Sequence, residues 1–258
     1  MTSSRSSPDG PATPDSAGRP SKQLDDQPGL MAELCHELRT SIGAFSGLVG
    51  MAAQDTHKAQ TAEMLRVALE QADYMLALVN DTLELARLDA APEPSTIPFS
   101  PADLVRSCSA AFSAQAQARQ IRLTTFVAHD LPALIFGDPR RLRQVLNNLL
   151  VNAIKFTHEG GVTVQANWRT VGSRGGTTEL ILTISDSGIG FDGKLADKIF
   201  RPFVQAEPDT AERYGGTGLG LAITKRLVDS MQGSITVHSA PGLGTTFDVR
   251  IPALIKSA

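Results

Sequence analysis

His36 stands in the run Glu33-Leu34-Cys35-His36-Glu37-Leu38-Arg39-Thr40. Histidine is the side chain whose ordinary pKa leaves a neutral, nucleophilic ring nitrogen available near pH 7. Glu37 is placed to accept the imidazole proton and so keep the attacking nitrogen unprotonated. A lone histidine on a helix is more often a solvated surface group, but distant neighbours argue otherwise. Asn148, Asn152 and Lys155 recur at spacings of four and three, which on a helix puts two amides and an ammonium on one face. Amide oxygens can complete a Mg2+ shell made largely of water and phosphate, and the ammonium offsets phosphate charge. Asp186-Ser187-Gly188-Ile189-Gly190 follows an apolar run, so a carboxylate able to accept from an exocyclic amine is held at a strand end beside two glycines. Gly215-Gly216-Thr217-Gly218-Leu219-Gly220-Leu221 leads into an apolar helix, where unpaired backbone N–H groups can receive phosphate. Each island has a plainer reading: a polar outer face, an Asp-Gly turn, a flexible glycine turn. Gly242 to Phe247 reads as a hairpin turn with a supporting role. Taken in order, the set points to a phosphorylatable histidine beside its own ATP site.

The elements that must position these groups follow from periodicity. Met31, Cys35, Leu38, Ile42, Phe45, Val49 and Ala52 keep a 4-3-4-3 spacing, and Leu65, Leu69, Ala72, Leu76, Val79, Leu83 and Ala86 mirror it. The polar stretch 54–60 reverses the chain, giving an αα-hairpin of helices about 25 residues long, or roughly 38 Å. Two helices cannot enclose both stripes, so a second copy is expected to close a dimeric four-helix bundle. His36 follows a stripe residue and falls at the flank of that bundle. Gly43, Gly47 and Gly50 interrupt the same helix at about 1 kcal/mol each relative to alanine; bending near His36 and close packing or exposure explain them equally well. Past Asp89, the run Ala90-Ala91-Pro92-Glu93-Pro94 marks a linker. Helices are expected over 101–119, 139–156 and 219–231. Strands are expected over 121–127, 161–169, 179–185, 234–239 and 245–251, with a glycine-rich turn at 172–176. Runs of helix and antiparallel strand imply a two-layer α+β sandwich.

The 258 residues are 41% hydrophobic, enough for two modest cores. A net charge of −3 with scattered basic residues offers no general attraction for nucleic acid. The longest apolar run, at 146–156, is broken by Asn147, Asn148, Asn152 and Lys155, well short of the roughly 20 apolar residues of a membrane span, so no membrane insertion is expected. Residues 1–27 are rich in proline and serine with no apolar signal region, and read as a disordered tail. Cys35 and Cys108 form no disulfide framework and have no zinc-ligand spacing, which fits a cytoplasmic location.

Over residues 28 to 252 the chain resembles a two-component sensor histidine kinase core. His36-Glu37-Leu38-Arg39-Thr40 resembles the H-box, Asn148 to Lys155 the N-box, Asp186 to Gly190 the G1 box, Phe200-Arg201-Pro202-Phe203 the F-box and Gly216 to Gly220 the G2 box. The resemblance implies a dimerisation and histidine-phosphotransfer hairpin (28–91) joined to a catalytic domain (92–258) of the Bergerat ATP-binding fold. It implies ATP and Mg2+ as cofactors, with Asp186 on the adenine amine, Phe156 near the base, Asn152 on Mg2+, and Asn148 and Lys155 at the phosphates. Gly188, Gly190, Phe200, Gly216, Thr217, Gly218, Leu219 and Gly220 complete the implied nucleotide site, and residues 201–215 the lid. His36 would attack the γ-phosphoryl and pass it to an aspartate of a response regulator receiver domain. Thr40, four residues on, implies a possible phosphatase activity towards that partner. Two positions depart from the pattern: Ser41 where proline is common, and Arg201 where glutamate precedes the F-box proline. The sequence shows no sensory domain, which leaves two sources of input open: an upstream sensory protein docking on the bundle, or a longer chain of which this is the core. The alternative is a catalytically inactive phosphotransfer or scaffold protein that docks response regulators.

Overall fold

The computed structural model describes residues 27–54, 58–89, 93–171, 177–204 and 216–253. Residues 1–26 of the expected tail, 55–57 of the expected reversal at 54–60, 90–92 of the expected linker at 90–94, the turn at 172–176 and residues 205–215 of the lid fall outside them. Helix α1 spans Gln27–Gln54 and α2 spans Lys58–Asp89, both longer than periodicity alone suggested. Leu34, Ser41 and Ala52 of α1 and Ala68, Leu78 and Leu85 of α2 are buried. All but Ala52 lie one track beside the stripes picked out by spacing. Of those stripes Leu38 and Phe45 are half-buried, whereas Met31, Ile42, Val49, Leu65, Leu69, Leu76, Val79 and Leu83 remain exposed in the single chain. Gly43, Gly47 and Gly50 have open space where a Cβ would stand, so close packing within the hairpin does not account for them.

The second region carries strand β1 at Ile97–Phe99, helix α3 at Pro101–Ala118, and strands β2 at Arg122–Val127 and β3 at Ile135–Gly137. Helix α4 follows at Pro139–Phe156, then strands β4 at Gly161–Val171 and β5 at Thr177–Asp186, and a 3-10 turn at Gly193–Leu195. Helix α5 at Gly220–Ser230 and strands β6 at Ser234–Ala240 and β7 at Gly244–Ala253 complete it. One sheet runs in the order β2-β4-β5-β7-β6, and β1 pairs with β3 alone. The sheet is not wholly antiparallel, as expected from sequence, because β2 runs parallel to β4. The chain between them passes through α4, and a helical crossover returns a strand in the same direction.

The three helices pack as a layer on the sheet. Leu142, Val145, Leu146, Leu149, Leu150, Ala153 and Ile154 of α4 are buried against Val164, Leu182, Ile184 and Val249. At about 1.5–3 kcal/mol for each large side chain, this burial fixes α4 and turns its polar face outward. Asp138 caps α4, its Oδ1 accepting from the backbone N–H of Arg140 at 3.0 Å and Arg141 at 3.1 Å, and Pro139 needs no partner at the first position. Ser100 caps α3 through Asp103 in the same manner. Leu78 and Leu85 of α2 are fully buried in the common core, so the hairpin is docked against the sandwich.

Candidate nucleotide site and phospho-acceptor

Between α4 and α5 a cavity of about 340 Å³ opens at the end of the sheet. Asn148, Asn152, Lys155 and Phe156 line it from α4, Asp186 and Gly190 from the end of β5 and its turn, and Gly216, Thr217, Gly218 and Gly220 from the approach to α5. Ten candidate residues spread over 73 positions of sequence therefore share one wall system. Gly188, Leu219 and Phe200 support it from behind. Gly188 is buried beside Asp186, Leu219 is fully buried in the core, and Phe200 meets the cavity residue Phe247 edge-on, with centroids 6.4 Å apart.

At the base end, Asp186 Oδ1 accepts from Gly188 N at 2.9 Å and Thr245 N at 3.2 Å. Burial nonetheless outweighs both donors and raises its pKa above the ordinary carboxylate range. No described residue donates to Oδ2, which leaves that oxygen for a ligand amine. Gly190 takes φ +61, and a Cβ there would stand 2.0 Å from Ala240 O, so the turn beside Asp186 admits only glycine.

At the opposite end α5 begins without a side-chain cap. Its first N–H groups therefore remain available to an anion. Gly218 has φ +68 and lies so close to Phe203 that a Cβ would be 2.9 Å from that residue's Cα. The Lys155 ammonium lies 4.8 Å from the Phe156 ring centroid and 2.7 Å from where a Cβ on Gly216 would stand. Burial, and then Arg119, lower its pKa. Arg119 donates at 3.2 Å to both Ile154 O and Lys155 O at the end of α4. Asn148 Nδ2 donates to Gly220 O and Thr224 Oγ1, each at 3.3 Å, which ties α4 to the first turn of α5. The Asn152 amide makes no hydrogen bond with a described residue and faces the cavity. Neutral amide oxygens, with no cluster of three acidic, histidine or cysteine groups among the described residues, suit a hard cation that keeps water and takes phosphate ligands.

Several lining residues were not among the site residues expected from sequence. Ala77 and Asp81 come from α2, and Ile189, Phe191, Ile199, Leu221, Thr245 and Phe247 form much of the apolar wall. Of the segment Gly242 to Phe247, Gly242 and Leu243 lie in the β6–β7 turn, and Gly244 to Phe247 open β7 and add two wall residues, Thr245 and Phe247. His36 is exposed on α1. Thr40 Oγ1 donates to His36 O at 3.0 Å, and Tyr74 Oη donates to Glu37 Oε2 at 3.2 Å. Burial, then the Glu37 charge, push the Tyr74 pKa up to about 12, so the phenol keeps its proton. None of His36, Glu37 and Thr40 lines the cavity.

Comparison with known proteins agrees with this division. Residues 29–91 match the His Kinase A (phospho-acceptor) domain, and residues 137–255 match the histidine kinase-, DNA gyrase B-, and HSP90-like ATPase family. Sensor protein TorS of Escherichia coli is 34% identical over 232 residues, which are 89% of this chain and 24% of TorS. Autoinducer 2 sensor kinase/phosphatase LuxQ of Vibrio parahaemolyticus is 34% identical over 86% of this chain and 26% of its own length. The chain thus spans about a quarter of the length of these curated relatives. Among solved structures, full-length ShkA in complex with AMPPNP superposes with a TM-score of 0.64 at 34% identity, covering 90% of this chain and 47% of ShkA. Histidine kinase ThkA in complex with the response regulator TrrA shares the fold, with a TM-score of 0.71 at 21% identity over 90% of this chain and 63% of ThkA. A phospho-acceptor domain followed by this ATPase domain is the arrangement of a two-component histidine kinase core, and to that family the chain belongs.

Proposed function

We propose that the chain is an ATP-dependent protein-histidine kinase that phosphorylates its own His36 and passes the group to an aspartate of a separate response regulator. The observation that carries this reading is a single chain holding an exposed His36 on a phospho-acceptor hairpin and a cavity with a free carboxylate oxygen at one end and an uncapped helix start at the other. Its functional units are the hairpin at 28–91 and the catalytic domain at 92–258. Asp186 Oδ2 accepts from the adenine amine, Phe156 flanks the base, and the N–H groups at the start of α5 receive phosphate oxygens. Asn152, with Asn148 beside it, offers an amide oxygen to Mg2+, and Lys155 lies where it meets phosphate charge. Mg2+, when bound, supplies charge neutralisation on the phosphate oxygens.

The ring nitrogen of His36 forms a bond to the γ-phosphorus as the bond from that phosphorus to the bridging oxygen of ADP breaks. Glu37 takes the ring proton through Oε1, while Tyr74 holds Oε2. The exposed leucine stripe of α2 supports a homodimer closed as a four-helix bundle. Receiver-domain docking beside His36, with input from an upstream sensory protein, completes the reading. A relative named as a kinase/phosphatase makes removal of phosphate from the partner, with Thr40 positioning the water, part of the same proposal.

The test incubates the parent, His36→Ala and Asn152→Ala with labelled ATP and Mg2+ and scores acid-labile, base-stable phosphoprotein. Label on the parent alone is expected. Absence of label from all three, with no ATP binding, would favour the scaffold reading instead.

A further inference from the structure

Helix α2 belongs to the phospho-acceptor hairpin, yet Ala77 and Asp81 line the nucleotide cavity. Asp81 Oδ2 accepts from Thr217 Oγ1 at 2.6 Å, and the same Oγ1 accepts from Leu219 N at 3.2 Å. Three residues along the same face of α2, Glu84 Oε1 accepts from Gln144 Nε2 of α4 at 2.5 Å. Leu78 and Leu85, fully buried, flank these two polar contacts along the helix. One face of the hairpin thus holds both helices that build the nucleotide site.

We propose that Asp81 is a positioning residue that opposes nucleotide loading: its hydrogen bond latches the Gly216–Gly218 loop to α2, and polyphosphate binding opens that latch and frees the catalytic domain from its own hairpin. The proposal rests on the ATP-binding reading above. Two physical conflicts drive it. The Thr217 hydroxyl has one proton, so it donates either to Asp81 or to a phosphate oxygen. A carboxylate in the cavity wall also repels a polyphosphate, and partial burial weakens the screening between them. Burial already raises the Asp81 pKa, with Thr217 opposing and the Glu84 charge adding to the rise, so the anion depends on the bond that nucleotide would take. Binding that breaks one contact of a docked pair lowers the affinity of that pair by the factor it loses itself.

The test titrates the full chain with a non-hydrolysable ATP analogue and Mg2+ by calorimetry. Asp81→Ala is expected to bind about tenfold more tightly than the parent. Asp81→Asn, which keeps an oxygen acceptor for Thr217 but removes the charge, is expected to bind about threefold more tightly and serves if the alanine variant does not fold. Hydrogen exchange at residues 78–85 should rise when the parent binds the analogue, whereas a residue that merely walls the cavity would give protection. Parental or weaker affinity in both variants, with the parent binding normally, overturns the latch and leaves the kinase reading intact. A parent that binds no nucleotide overturns both.

Discussion

Asp186 stands where burial works against its charged form. Both backbone donors reach Oδ1, so asparagine at this position would keep the two bonds that shape the turn and replace the free Oδ2 acceptor with a donor. Asp186→Asn is expected to fold and to lose ATP affinity by about 10- to 100-fold, the equivalent of one charge-assisted hydrogen bond at about 1.5–3 kcal/mol, measured by calorimetric titration. Stability should move the other way. A folded pKa raised above the unfolded value makes a contribution fully present below the ordinary carboxylate range and lost as pH rises through the raised value. The variant lacks that loss, so urea unfolding of the ligand-free proteins should favour it increasingly from about pH 4 to pH 7. Asp186 was legible because an aspartate between an apolar run and two glycines is unusual. Thr245 was not, because it contributes a backbone N–H that any residue but proline could supply. Asp81 was not either, since a polar residue off the apolar stripe of a helix reads as solvated until a second domain covers it.

Helix α4 carries five of the cavity residues, so the way the chain enters it decides where they point. Asp138 controls that entry: Oδ1 caps the helix, and Oδ2 accepts from Ser95 N at 3.0 Å, fastening the start of the catalytic domain to the same point. Burial alone would raise its pKa, but the donors of Arg141, Ser95 and Arg140 together hold it below the ordinary value. Its stabilisation is therefore present above the unfolded pKa and lost as pH falls through the folded one. Asp138→Ala should cost about 0.5–2 kcal/mol at pH 7 in denaturant unfolding, and that deficit should shrink on acidification below about pH 4. Both ends of α4 were readable in sequence because an Asp-Pro start and an unbroken apolar period each have a local cause. The parallel pairing of β2 with β4 was not, since alternation along a strand reports which face is buried and not the direction of its neighbour. Strands β1 and β3, at three residues each, are too short to show alternation at all.

At the scale of the molecule, the hairpin leaves Leu69, Leu76 and Leu83 exposed at 67, 63 and 50%. They recur every seven residues along one line of α2, with Met31, Ile42 and Val49 exposed on α1. A contiguous apolar line of this kind is a contact surface in a stable protein. The heptad was legible in sequence because it is a property of one helix, whereas the docking of α2 against the nucleotide site was not, since its contacts join residues 60 and 136 positions apart. The two features separate cleanly in an experiment. Leu69→Glu with Leu76→Glu places a charge at successive heptad positions and should convert a dimer to a monomer by light scattering. The described residues of one chain suffice to line the cavity, so the monomer should bind ATP within about twofold of the parent, a difference of about 0.4 kcal/mol. Labelling of His36 should nevertheless fall by at least about tenfold, equivalent to about 1.4 kcal/mol. Among the described residues none of α1 lines the cavity in the docked arrangement, and the transfer then needs the bundle to present His36 to a released catalytic domain. A monomer that labels His36 at the parental rate would show instead that a single hairpin suffices to present the histidine.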